Sequence, residues 1–263
     1  VHGGAGFSLS AADDYDTLDL RGSLPAGGSL SINITGPDSD GNGFDGTVDF
    51  TDASGNLSTL IFTNIENIIP CFTPGTKIAT PQGERLVETL KAGDRIITRD
   101  NGFQDIKWIG STRVDAQRLA GSPHLRPVLI RQCALGNDLP ERDMMVSPNH
   151  RVLITGDKTA LYFEESEVLV AAKHLTGLPG IDIVDVAEIT YIHFMFDQHE
   201  VVLSDGAWTE SFQPGDHSLA GIDADQRREI IELFPELDTT AGLGSYAAAR
   251  RSLKRYEAQL LLH

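Results

Sequence analysis

The sequence has few cysteines, no long apolar run and a shortage of basic residues. Two cysteines among 263 residues are too few for a disulfide framework, and no Cys-x-x-Cys or Cys/His spacing predicts a metal site. No apolar stretch approaches the roughly 20 residues of a membrane helix, so no membrane span is expected. The 21 basic residues face 38 acidic ones, and a net charge of −17 argues against binding to nucleic acid or an anionic membrane.

The same acidic balance suits a secreted chain, or one whose carboxylates bind a hard cation such as calcium. No signal-peptide pattern stands at the front of the sequence. Because the chain begins with Val1 rather than methionine, we expect it to be a fragment of a longer protein. A chain of 263 residues can bury its own core, in one large domain or two smaller ones.

The front of the chain, residues 1–70, is rich in glycine and aspartate. Residues 2–20 resemble the end of a calcium-binding Gly/Asp nonapeptide array, although Ser8 stands where the repeat has aspartate. A glycine-rich turn before a strand explains the stretch equally well. Alternating apolar and polar residues predict three strands in this front, at 30–34, 47–50 and 59–62.

A twelve-residue segment between the first two of these strands, 38–49, matches most of a calcium loop, with Gly43 at its sixth place. Its twelfth residue is aspartate rather than glutamate, and predicted strands flank it instead of helices. A polar hairpin loop, in which Asp, Asn and Gly serve the turn, is the alternative. The candidate calcium ligands are Asp38, Asp40, Asn42, the carbonyl of Phe44, and Asp49.

The body of the chain consists of short apolar segments separated by Gly-Asp, Asn-Gly and Ser-Pro turn signals. Many short strands and few helical stretches predict a mainly β protein with an all-β body. The predicted strands of the body are 77–80, 95–98, 106–109, 128–131, 144–146, 152–154, 167–171, 184–196 and 201–203.

The tail, residues 213–263, has helical periodicity instead. A capping box at 223–226 begins one predicted helix, whose apolar face includes Ile230 and Phe234. A second helix is predicted over 245–262, with apolar residues along one side. We expect both helices to pack on the β body.

Cys71 directly follows Pro70, at the junction between the front and the body. A thiol at the first residue of a domain, together with a distant histidine between strands, His150, can support nucleophilic attack on a neighbouring carbonyl. That carbonyl can be the chain's own, on Pro70. Cys133 lies in an apolar setting and is predicted to be a buried packing residue, and whether it pairs with Cys71 stays open.

Three ordered motifs resemble those of the hedgehog/intein (Hint) family. The second of them resembles the T-x-x-H signature, with Ser147 at the place of the threonine and His150 at that of the histidine. The most similar subfamily is the bacterial one found after Gly/Asp-rich calcium-binding repeats in secreted proteins. The three motifs cover residues 71–76 with 90–96, residues 145–153, and residues 193–206.

The resemblance implies a horseshoe-shaped, all-β Hint domain over 71–212. A small β-rich segment at 1–70 would precede it, and two C-terminal helices at 213–263 would follow. It also implies self-processing by an N-to-S acyl shift, in which the thiol of Cys71 attacks the carbonyl of Pro70 and converts the amide into a thioester.

The same resemblance implies roles for four polar residues. His150 would donate the proton that the leaving nitrogen needs, because imidazole titrates near neutral pH. Ser147 would hold the same peptide unit or the ring of His150, and His193 and His199 would line the site. A hydrogen-bonded structural histidine on a strand is the alternative for His193 and His199.

The sequence departs from inteins at the end of the last motif. Inteins finish with a His-Asn pair, which the resemblance places at Glu210 and Ser211. Because serine cannot cyclise to a succinimide, splicing is not expected, and an outside nucleophile (water, a thiol or an amine) would resolve the thioester. Asp105 lies near the acid that activates a sterol hydroxyl in hedgehog domains, and a solvated aspartate before a strand is the alternative.

The sequence therefore predicts single-turnover self-cleavage, with the chain's own N-terminal flank as the substrate. This cleavage requires no cofactor, and calcium at 38–49 is the candidate ion. Two alternatives stay open: a non-processing module that caps a calcium-bound repeat region, and a cysteine hydrolase in which Cys71 and His150 act on other substrates.

Overall fold

The chain forms two compact units, Val1–Asn67 and Ile68–His263. A computed structural model describes residues 29–37, 44–51, 57–65, 70–214, 230–231, 233–234, 237 and 246–262. Among these residues no helix is both long enough and apolar enough to cross a membrane.

The described part of the first unit is an antiparallel sheet of three strands in sequence order. These are β1 (Ser29–Pro37), β2 (Phe44–Thr51) and β3 (Leu57–Ile65). The three strands predicted for the front are therefore confirmed, and each extends a few residues beyond its predicted ends.

The predicted calcium loop falls partly on β2. Its first three ligands, Asp38, Asp40 and Asn42, lie outside the described residues. Phe44 and Asp49 lie on one extended strand, about 17 Å apart at the rise of a β-strand, whereas two oxygen ligands of one calcium ion lie within about 5 Å of each other. Phe44 and Asp49 therefore do not converge on one ion, and Oδ1 of Asp49 instead accepts a hydrogen bond of 2.6 Å from Oγ1 of Thr59.

The described part of the second unit is mainly β, as predicted, with only short helices. Its strands are β4 (Lys77–Thr80), β5 (Gly83–Leu86), β6 (Arg95–Thr98), β7 (Gly102–Asp105), β8 (Trp108–Val114), β9 (Val128–Ile130), β10 (Met144–Val146), β11 (Arg151–Thr155), β12 (Glu167–Ala171), β13 (Ile181–Ile183), β14 (Ile189–Met195), β15 (Val201–Ser204), β16 (Ala207–Glu210) and β17 (Ser252–Leu253). Its α-helices of known extent are α1 (Ala116–Gly121), α2 (Asp157–Phe163) and α3 (Arg255–Leu262).

These strands form three sheets. The largest has nine strands, in the order β17-β12-β11-β16-β15-β4-β5, with β6 paired to β15 and β7 paired to β6. A three-stranded sheet has the order β10-β9-β13, and the long strands β14 and β8 pair with each other. Phe72 bridges two of these sheets, because it pairs with Val146 on β10 and with Ile192 on β14.

The hairpin of β15 and β16 turns at Asp205 and Gly206, whose φ angles are 48° and 82°. Two positive φ angles are what a two-residue hairpin turn of the right twist requires, which explains the Asp-Gly pair. A Cβ atom at position 206 would also collide with the side chain of Glu141. This hairpin carries the second half of the last motif and the residues that follow it.

Two predictions for the second unit are wrong. The helix predicted over 245–262 begins only at Arg255, because Ser252 and Leu253 extend the sheet along β12 and the N–H of Leu169 bonds the carbonyl of Arg251. Cys133 is exposed rather than buried, since it lies in a turn with φ 65°. The predicted helical residues Ile230, Ile231 and Leu233 are helical, whereas the capping box at 223–226 lies outside the described residues.

Candidate functional site

Cys71 is held in place through its neighbour Phe72. The N–H of Phe72 bonds the carbonyl of Ile192 at 2.7 Å, and the N–H of Ile192 bonds the carbonyl of Phe72 at 2.8 Å. The ring of Phe72 stacks on Phe194 with centroids 5.2 Å apart. Cys71 therefore begins a strand-like segment between β10 and β14, and its side chain is only 3% exposed.

Ser147 contacts Cys71 with both its side chain and its backbone. Its Oγ accepts a hydrogen bond of 2.8 Å from the N–H of Cys71, which belongs to the Pro70–Cys71 peptide bond. Its N–H donates to the carbonyl of Cys71 at 3.0 Å. The nitrogen of the bond that the sequence marks as scissile is thus paired with a buried hydroxyl.

The sulfur of Cys71 lies against His193, with Sγ 3.4 Å from Nδ1. The ring of His193 is buried and packs between Trp108 and Phe212, at centroid distances of 5.1 and 5.4 Å. No sequence pattern distinguishes His193 from His150 as the neighbour of the thiol. Its contact follows from the pairing of β14 with Phe72, which sets the face on which His193 lies.

The thiol of Cys71 is buried in an environment that disfavours its anion. Burial first, and the negative charge of Glu210 second, raise the pKa of Cys71 well above its ordinary value. The sulfur therefore stays protonated at neutral pH, and attack on a carbonyl requires a base in contact with it. Nδ1 of His193 is in that position.

His150 packs against Phe72, the residue that follows Cys71. Its ring is fully buried and packs edge-on against Phe72 at a centroid distance of 4.4 Å. Within the described part of the chain neither ring nitrogen has a hydrogen-bond partner. Burial lowers the pKa of His150 to about 4, which outweighs the opposing charge of Glu210, so the ring is uncharged at neutral pH.

Glu210 is a buried carboxylate that links several of these groups. In the sequence it is notable only because it stands where inteins have histidine. Its Oε1 accepts from the N–H of Arg151 at 2.8 Å, and its Oε2 accepts from the guanidinium of Arg151 at 2.9 Å. Nε2 of His199 lies 3.3 Å from the same Oε2. Burial alone would raise the pKa of Glu210, but Arg151 and His199 together hold it below its ordinary value, so Glu210 is ionised.

Ser211 and Asp105, the other two candidate residues of the sequence analysis, form their hydrogen bond and ion pair with residues other than Cys71. Oγ of Ser211 accepts from the N–H of Glu200 at 3.0 Å, inside the buried end of the β15–β16 hairpin. Asp105 is exposed and lies 3.7 Å from Arg95, as a solvated aspartate at the end of a strand does. Among the described residues no group of three or more His, Cys, Asp or Glu side chains can hold a metal ion.

Comparison with known proteins identifies the family. A family model described as a Hint domain matches residues 70–216, more than half of the chain. The chain belongs to the Hint family.

Solved structures similar to this Hint protein include inteins. The gp41-1 intein is 12% identical, with 53% of this chain and 97% of that one covered and a TM-score of 0.33. A bacterial intein-like domain from Clostridium thermocellum is 13% identical, with 54% and 97% covered and a TM-score of 0.35. The MchDnaB-1 intein is 9% identical, with 53% and 98% covered and a TM-score of 0.33. No curated protein matches the chain.

The two cysteines of this Hint protein differ in accessibility, which gives a test of the site. Cys133 is exposed and Cys71 is buried with a raised pKa, so we expect one thiol per chain to react rapidly with a disulfide reagent such as DTNB and the other to react only after unfolding. Cys133→Ser should remove the rapid phase. A rapid phase that persists in Cys133→Ser would place Cys71 at the surface and contradict the buried site.

Proposed function

We propose that this Hint domain cleaves its own chain by an N-to-S acyl shift at Pro70–Cys71, which releases residues 1–70. The observation that carries the proposal is that both reacting groups of Cys71 have partners suited to the chemistry. Its amide N–H donates to Oγ of Ser147 at 2.8 Å, and its Sγ lies 3.4 Å from Nδ1 of His193.

In the first step Sγ of Cys71 attacks the carbonyl carbon of Pro70 while Nδ1 of His193 accepts the thiol proton. This requires a neutral His193 that carries its own proton on Nε2. The new S–C bond places the carbonyl electrons on oxygen, as a tetrahedral oxyanion. Because the sheet fixes Cys71 beside its base, much of the entropic cost of bringing the two together is met by folding.

In the second step the oxyanion reforms the carbonyl and the C–N bond breaks. The products are a thioester on Sγ and a free amino group on Cys71, and the nitrogen gains the one proton that the thiol lost. We propose that this proton passes from His193 to His150 and from His150, whose ring packs on Phe72 beside Cys71, to the nitrogen. The ring of His150 is uncharged at rest, and with a pKa of about 4 its transient imidazolium gives the proton readily to the nitrogen.

An outside nucleophile then resolves the thioester. Ser211 cannot form a succinimide, and its hydroxyl is bonded to the backbone of Glu200. The proposal therefore excludes splicing and leaves water, a thiol or an amine to attack the acyl group of Pro70.

A non-processing Hint module is the second candidate, because burial keeps the thiol of Cys71 protonated. Full-length protein that persists through treatment with strong nucleophiles would favour it. A cysteine hydrolase acting on other substrates has less support, since a sulfur on a side chain that is 3% exposed cannot meet an added peptide.

We also propose that the chain is exported and that its front binds calcium. The net charge of −17 and the Gly/Asp-rich front support both parts.

Self-cleavage is tested by intact mass after incubation with dithiothreitol or hydroxylamine, both of which capture thioesters. We expect wild type to yield a fragment that ends at Pro70, Cys71→Ala to yield none, and Cys133→Ala to behave as wild type. Absence of that fragment from wild type would show that the site is inert under these conditions and favour the non-processing module.

The roles of the two contacts on Cys71 are tested by the rate of fragment release. His193→Gln should slow cleavage by about 10²–10⁴-fold, the range for loss of a general base. Ser147→Ala should slow it by about tenfold, through loss of one hydrogen bond. His174→Gln is the matched control, as a partly buried histidine on the 3-10 helix Ala172–Leu175, and should change the rate less than twofold. A His193→Gln variant that cleaves at the wild-type rate would remove His193 from the mechanism.

Calcium binding is tested by calorimetric titration of the Cys71→Ala chain, which stays intact. We expect binding that is lost in the double variant Asp38→Asn, Asp40→Asn and retained in Asp49→Asn. No heat above dilution would favour the hairpin-loop interpretation of 38–49.

A further inference from the structure

The chain continues beyond the residues that match the Hint family, and residues 246–253 lie against the site. The hydroxyl of Tyr246 donates to the carbonyl of Phe196 at 2.9 Å. Further on, Ser252 and Leu253 form β17, which pairs in parallel with β12. The segment is therefore attached to the second unit at both of its ends.

Arg250 anchors the middle of this segment. Its Nη2 lies 2.7 Å from Oδ1 of Asp100, and its Nε lies 2.8 Å from Oε2 of Glu167. Glu167 is held in turn by Arg99, so one carboxylate accepts from two guanidinium groups. Such a network is stronger than isolated surface pairs, because each side chain is already oriented by another partner.

Because Arg250 is anchored, the backbone of the preceding residue, Ala249, lies in contact with the imidazole ring of His199. The N–H of Ala249 donates to Nδ1 of His199 at 3.0 Å. A backbone N–H can only donate, so Nδ1 must carry a lone pair and the neutral ring must carry its proton on Nε2. Nε2 lies 3.3 Å from Oε2 of Glu210, within ion-pair distance of that carboxylate but outside hydrogen-bond geometry.

Glu210 transmits this orientation to His150. Its two oxygens accept from the N–H and the guanidinium of Arg151, the residue that follows His150. The carbonyl of His150 accepts from the N–H of Ala172 at 2.9 Å. The contacts run without a gap from Ala249 through His199 and Glu210 to the backbone that carries His150.

The segment also covers this network. A cavity of about 410 Å³ reaches His199, and residues 246–250 form one of its walls. If the segment left this wall, His199 would meet solvent directly, and the pairing of its ring with Glu210 would compete with water.

We infer that the backbone N–H of Ala249, held in place by the ion pairs of Arg250, is a positioning group of the processing site. The N–H of Ala249 selects one tautomer of His199, and that tautomer orients Glu210 and the His150 backbone. The effect on cleavage rests on the proposed function, whereas the tautomer does not.

Ala249→Pro tests the inference, because proline removes the one N–H that bonds Nδ1. Ala249→Gly keeps that N–H, and Ala248→Pro places proline at an exposed neighbour. Ring nitrogen NMR in the Cys71→Ala background reports the tautomer, and fragment release in chains with Cys71 reports processing. We expect Ala249→Pro to lose the signature of an unprotonated Nδ1 and to cleave about tenfold more slowly, as loss of one hydrogen bond predicts. Both controls should keep the wild-type tautomer and stay within twofold of the wild-type rate.

Arg250→Ala is a second variant for the case that Ala249→Pro does not fold. It removes the anchors but not the N–H, and we expect mixed tautomers and an intermediate rate. An unchanged His199 spectrum in a folded Ala249→Pro or Arg250→Ala chain would overturn the inference, and so would a changed spectrum with an unchanged rate. If wild type does not cleave while the spectra change as expected, the proposed function and the positioning of catalysis both fail, and only the tautomer assignment survives.

Discussion

The pairing of Phe72 with Ile192 is the constraint on which the site depends. Two backbone hydrogen bonds, of 2.7 and 2.8 Å, make the residue after Cys71 part of a sheet rather than of a loop. Because Phe72 cannot shift without breaking both bonds, Cys71 stays between Ser147 and His193. The Pro70–Cys71 peptide bond, at which we propose cleavage, is therefore held by the sheet, and a fixed geometry of this kind is what attack on a weak electrophile such as an amide requires.

Burial explains both the low nucleophilicity of the Cys71 thiol and its inaccessibility to outside reagents. The apolar surroundings and the charge of Glu210 raise the pKa of Cys71, so the sulfur is a poor nucleophile, and the proposed reaction needs His193 to take its proton. The same burial keeps outside electrophiles and oxidants away from it. A buried thiol of this kind is poorly suited to a substrate that must diffuse in, which agrees with the proposal that its partner is the carbonyl of the preceding residue.

Local patterns predicted the parts of the fold and site that depend on few residues. Strands with buried alternation, such as β4 and β6, were visible in the sequence, whereas β5 and β7 were not, because most of their side chains are exposed. The contact of His193 with Cys71 depends on the register of β14, and the Ala249 contact depends on a parallel pairing of β17, neither of which periodicity reports. Cys133 was predicted to be buried from apolar neighbours, but its turn conformation decides its exposure.

The contacts of the residues after the last motif agree with the proposal that splicing does not follow the thioester. An intein must release the chain that follows its final asparagine. Here the N–H of Phe212 bonds the carbonyl of Phe194 at 2.9 Å, and its ring packs on His193 and Trp108. The residue that follows Ser211 is thus part of the core around His193, and releasing the chain after Ser211 would remove a packing contact from the base that we propose for the first step. Serine at 211 cannot cyclise to release the chain that follows it, and Phe212, the first residue of that chain, is buried against His193. Both features agree with a chain that stays attached after Ser211.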